Sequence, residues 1–81
     1  MEIEKYSHQL VLLNDKTNFL EYVIACLIKF CNHDPIQAEQ CALIAHNNKE
    51  CVIKNGPYML IEDIAVSLEK TGLLVKIKEC V

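Results

Sequence analysis

Asp34-Pro35-Ile36-Gln37, near the middle of the 81 residues, dictates how the chain must be divided. Aspartate accepts at an N-cap, proline is preorganised for the first helical position, and glutamine at the third completes a capping-box variant. A helix therefore opens at Pro35, and the helical stretch before it must stop at Asn32-His33. That earlier stretch runs from Asn18 to Phe30. Phe19, Val23, Leu27 and Phe30 recur at helical spacing with Leu20, Ile24 and Cys31 beside them, and Asn18 is placed to cap its start. The second helix buries a stripe of small residues, Ala38, Cys41, Ala42 and Ala45, and carries His46 in its last turn before Asn47-Asn48.

The flanks read differently. His8 to Leu13 is a β-compatible apolar run ending at the turn pair Asn14-Asp15. Lys49 to Lys54 reads as a second strand stopped by Asn55-Gly56. Pro57 then fits the first turn of a third helix, whose stripe is Leu60, Ile61, Ile64, Ala65 and Leu68. Thr71-Gly72 stops that helix, and Leu73 to Lys78 alternates, with Leu73, Val75 and Ile77 inward and Lys76 and Lys78 outward. The order is β-α-α-β-α-β. It predicts an α+β fold, a two-layer sandwich with a three-stranded antiparallel sheet packed on helices. Residues 1–81 are expected to form a single domain with a folded core of about 6–80.

Composition removes several function classes. The net charge is −3 and every permanent cation is a lysine, so no arginine can fork onto a base or phosphate, and nucleic-acid binding is not expected. No run reaches membrane-span length and Met1 to Lys5 lack a signal-peptide layout, so the chain is expected to be cytoplasmic and away from membranes. Cys26, Cys31, Cys41, Cys51 and Cys80 form no Cys-x-x-Cys pair, and Cys26 and Cys31, five apart, leave one helix on different faces. Apolar structural thiols are expected, with no metal and no cofactor. Cys41 and His46 are also five apart, and no glycine-rich oxyanion loop accompanies them, so no catalytic residue is assigned and the chain is not expected to be an enzyme.

Two short stretches remain that carry chemistry: Leu12-Leu13-Asn14-Asp15 and Ala45-His46-Asn47. A strand ending in an Asn/Asp turn and a histidine at a helix end can bring polar groups to the mouth of an apolar pocket, which suits holding a small cation or amine. Taken singly, Asn14-Asp15 is more often a strand-ending turn and His46 a helix-end histidine favoured by the dipole, while the alanine stripe is equally plain helix packing.

Together with Glu21-Tyr22-Val23-Ile24, Gln37-Ala38-Glu39-Gln40-Cys41-Ala42 and Gly72-Leu73-Leu74, these stretches resemble the ClpS adaptor family, over about His8 to Glu79. The chain is most similar to the compact members found in Bacteroidetes-type bacteria. The resemblance implies an adaptor of the ATP-dependent Clp protease. Such a protein binds N-degron substrates by their free N-terminal amine and bulky apolar first residue, and delivers them to the N-terminal domain of a Clp AAA+ unfoldase. On this resemblance Asn14 and His46, with Asp15, hold the amine. Leu20, Val23, Ala42, Ala45 and Leu73 line the side-chain pocket, and Asn18 sits beside the peptide. A histidine in this role must keep an unprotonated nitrogen toward the amine, so binding is expected to weaken on acidification.

Three departures from the family pattern stand out. Lys16 occupies the place of a second acidic residue. A cation held about 4 Å from the amine would repel it by about 4 kcal/mol at an effective dielectric near 20, whereas a stem swung to solvent leaves Asp15 to substitute in part. The alternative function is therefore a divergent ClpS-like interaction module that has lost N-degron recognition. Ala42 stands where the family often has a bulky gate, and Ala45 where it has a β-branched residue, which implies a roomier pocket open to Ile and Val as well as Leu, Phe, Tyr or Trp. Finally, Met1 to about Ser7 is short beside the flexible tail that family members usually carry.

Overall fold

The computed structural model describes residues 7–14 and 17–79, so Asp15, Lys16 and Cys80 lie outside the described residues. The elements follow in the order β1 (His8–Leu13), α1 (Leu20–Cys31), α2 (Pro35–Asn48), β2 (Glu50–Gly56), α3 (Tyr58–Lys70) and β3 (Val75–Glu79). The sheet is antiparallel with order β2-β1-β3, so β1 is paired on both sides. Leu10 and Leu12 face the helices and are fully buried, joined by Val23 and Leu27 of α1, Ala38, Ala42 and Ala45 of α2, and Ile61 and Leu68 of α3. Each large aliphatic side chain buried in this way stabilises the fold by about 1.5–3 kcal/mol. The result is the expected α+β sandwich with helices on one face of a three-stranded sheet.

On the opposite face Val11 is also fully buried. Its register partners are Val52 and Lys76. From β2 the Glu50 carboxylate reaches across the central strand to Lys76 Nζ at 3.0 Å and Lys78 Nζ at 2.8 Å. Long charged side chains of this kind lay their aliphatic stems over apolar surface while the heads stay wet.

β1 and β2 do not pair evenly. Leu10 opposes Lys54 but Val11 opposes Val52, so Ile53 has no register partner: a β-bulge. The Ile53 carbonyl oxygen instead accepts from His33 Nε2 at 2.9 Å. Because a carbonyl only accepts, the imidazole proton sits on Nε2. His33 follows Asn32, whose left-handed φ of 58° ends α1.

Helix ends are where local chemistry and structure agree most closely. The Asp34 side chain accepts from the Gln37 backbone N–H at 2.8 Å with Pro35 at the first helical position, a cap worth about 1 kcal/mol. At the end of α3, Gly72 N–H donates to Glu69 O and Leu73 N–H to Leu68 O, the paired bonds of a Schellman motif. Gly72 takes φ 94°, a conformation that a side chain makes costly.

Other expectations shift. Asn18 does not cap α1. The cap position is Phe19, with extended backbone (φ −68°, ψ 148°), and no side chain bonds there. Phe19 therefore leaves the helical wheel and is 81% exposed rather than buried. Leu60 falls at the edge of the α3 stripe and is exposed as well. Asn47 and Asn48 stay helical because Lys49 takes the left-handed turn (φ 78°) that closes α2, and β2 begins one residue later than expected. β3 begins at Val75, since Leu73 is held in the Schellman turn.

Candidate functional site

Where β1 ends, two backbone bonds fix the exit of the chain. Leu13 N–H donates to Leu74 O at 2.9 Å, and Asn14 N–H donates to Lys49 O at 2.7 Å. The second bond ties Asn14 to the turn that closes α2, one helical turn from His46. A helix C-terminus carries unpaired carbonyls and a partial negative charge, which favours a cation nearby.

Beside this junction lies a cavity of about 320 Å³. Its inner wall is apolar: Leu12 from β1, Val23 from α1, and Ala42 and Ala45 from α2, all buried. Leu20, at the first position of α1, and Leu13 continue this wall outward. The polar groups are Asn14, Asn18 and His46, and Phe19 completes the lining. Methyl side chains at Ala42 and Ala45 leave the space that larger residues on that face of α2 would fill.

Asn14 Oδ1 is buried and has no donor among the described residues. Leaving a buried acceptor unpaired costs about 1–3 kcal/mol. His46 is exposed in the last turn of α2 and lines the cavity. Asn18 is half-buried, and its Nδ2 donates to Gly72 O at 3.0 Å. Tyr22 Oη donates to Thr71 O at 2.5 Å, so the start of α1 is fastened twice to the turn after α3. Burial is the first cause that raises the Tyr22 phenol above its usual range.

Of the residues expected at a site, the structure gathers Asn14, Asn18, Leu20, Val23, Ala42, Ala45 and His46 around this one cavity. Leu73 is not part of its lining. It packs in the core with Leu68, the apolar contact that accompanies the Schellman turn. Asp15 and Lys16 lie outside the described residues. Leu12, Leu13 and Phe19 also line the cavity, a role that no sequence signal assigned to them, although all three neighbour residues expected at the site.

The cysteines stand apart from this lining. Burial pushes the Cys31 thiol up to about 11 and, with a hydrogen bond to Cys51 second, the Cys41 thiol up to about 12. Such thiols stay protonated near neutrality and behave as apolar filler. Among the described residues, no group of three or more His, Cys, Asp or Glu side chains is placed to hold a metal ion. Nor is any helix there long and apolar enough to cross a membrane.

The arrangement can bind but has no activated nucleophile in its wall. An amide oxygen and an imidazole beside an open-mouthed apolar cavity are groups able to accept hydrogen bonds from an ammonium whose neighbouring apolar group enters the cavity.

Comparison with known proteins gives the same picture at the level of fold. A structure of Agrobacterium tumefaciens ClpS2 bound to L-phenylalaninamide superposes with a TM-score of 0.83 at 18% sequence identity, covering 94% of this chain and 99% of that one. No curated protein sequence matches the chain. The family model for the ATP-dependent Clp protease adaptor protein ClpS matches residues 4–75, up to the first residue of the last strand. With a match of that length, and the β-α-α-β-α-β order shared with a ClpS structure, the chain belongs to the ClpS family of Clp protease adaptors.

Proposed function

We propose that this protein reads the N-termini of other proteins and delivers them to the N-terminal domain of a Clp AAA+ unfoldase in the cytoplasm. The free α-amine of the substrate, an ammonium or close to it at neutral pH, is held by Asn14 and His46, with Asp15 adding negative charge. The first side chain enters the apolar cavity against Leu20, Val23, Ala42 and Ala45. The observation that carries this reading is that Asn14, past the end of β1, and His46, in the last turn of α2, line one cavity whose wall is otherwise mostly hydrocarbon. The likeness to Agrobacterium ClpS2 bound to L-phenylalaninamide supports it, because that ligand joins a free amine to a large apolar side chain.

Lys16 favours a second reading, an adaptor-fold interaction module that no longer recognises N-degrons, because it places a cation two residues after Asn14. One titration separates the two. A Leu- or Phe-initiated peptide is measured against its Nα-acetylated form, on the native chain and on Lys16→Asp. Binding that depends on the free amine supports the N-terminus reader. Absence of binding until Lys16 is replaced supports the module.

A further inference from the structure

We infer that Phe19 selects the second residue of the bound peptide, favouring a large apolar or aromatic side chain there. The inference rests on the N-terminus reading above and extends it by one position. Among the described residues, three large apolar side chains are exposed by 70% or more: Phe19, Ile36 and Met59. Of these, Phe19 alone lines the cavity. It does so from a rigid mount, because its extended backbone precedes α1 and its carbonyl accepts both Tyr22 N–H (3.0 Å) and Val23 N–H (3.1 Å).

The geometry of a peptide supplies the occupant. With the amine at Asn14 and His46 and the first side chain inside, the chain must leave across the mouth. The second Cα follows about 3.8 Å on, and successive side chains of an extended chain point to opposite sides. The second side chain is thus turned out of the cavity and onto its rim, where Phe19 offers an uncovered ring. An apolar or aromatic partner covers that ring, and an aromatic pair adds favourable edge or offset stacking. Glycine covers nothing, and an acidic second residue loses hydration against the ring without gaining a partner among the lining residues.

The test is a fluorescence titration with peptides that begin Leu-Phe, Leu-Gly and Leu-Asp and are otherwise identical, each also as its Nα-acetyl form. The native chain is expected to bind Leu-Phe about five- to tenfold more tightly than Leu-Gly, with Leu-Asp weakest. In Phe19→Ala the Leu-Phe and Leu-Gly affinities should converge, and Phe19→Tyr should restore the gap. Circular dichroism verifies that both variants remain folded. A ratio near one in the native chain, or a gap that survives Phe19→Ala, overturns the inference. Acetylated and free peptides binding equally would instead strike the amine reading beneath it, an outcome distinct from a flat second-residue profile with amine dependence intact.

Discussion

Asn18 Nδ2 donates to the carbonyl oxygen of Gly72 at 3.0 Å, so a residue in the cavity wall is bonded to a turn 54 positions later in the chain. Tyr22 adds a second tie to the same turn through Thr71. Asn18→Ala and Tyr22→Phe should each cost about 0.5–1 kcal/mol in urea denaturation, and hydrogen exchange should quicken at both the start of α1 and residues 71–73. Exchange that quickens on one side alone would mean the bonds do not couple the segments.

Ala42 offers a direct test of the cavity. Ala42→Met introduces three further heavy atoms into a wall that is now a methyl group. Crowding of this kind typically costs about 1–3 kcal/mol, so affinity for Ile- and Val-initiated peptides should fall about tenfold while Phe-initiated binding is kept. The native chain should accept Ile- and Val-initiated peptides beside Leu. Dissociation constants for the three, with Ile and Val rejected, would count against the roomy pocket.

Glu50 should give the fold a pH dependence. Hydrogen bonds from Lys78 and then Lys76 hold its carboxyl below the ordinary glutamate value of 4.5. A group whose folded value is depressed contributes stability that is present above the unfolded value and lost as pH falls through the folded one. Native protein and Glu50→Gln should therefore differ in urea midpoint at pH 7 and converge as pH falls from the ordinary glutamate value down through the lower folded one. Because the group is on the surface, the difference should also shrink in high salt.

His33→Leu removes the donor to Ile53 O at the bulge while keeping bulk. The carbonyl is then buried and unpaired, partly offset by loss of the unpartnered Nδ1. The expected net cost is about 1–2 kcal/mol by denaturant titration. A variant as stable as the native chain would show that another group satisfies Ile53.

Features set by neighbours along the chain are legible in the amino-acid sequence alone. Asp34-Pro35-Gln37 and Gly72 act within one helical turn, so residue type and order suffice to place them. β1 is legible because its apolar run is bounded by a turn pair. Asn18 reads as a cap because its partner, Gly72, is remote in sequence and no local pattern announces that bond. Phe19 fits the helical period of a buried face, and the period cannot show that the helix begins one residue later. The bulge at Ile53 leaves no mark at all, since it arises from how two distant strands meet. At the site, Asn14 and His46 are visible as residue types at the ends of elements. Their shared cavity depends on the Asn14–Lys49 bond, which belongs to the tertiary fold.

β1 is the middle strand, held along both edges, and Asn14 is the first residue past its end. Fraying of either outer strand leaves the other still gripping it, so the Asn14 amide, proposed above to meet the substrate, follows the strand with the most backbone pairing. On that proposal the strand end supplies a mould cast before the guest arrives, and more of the loss of freedom on association falls on the guest.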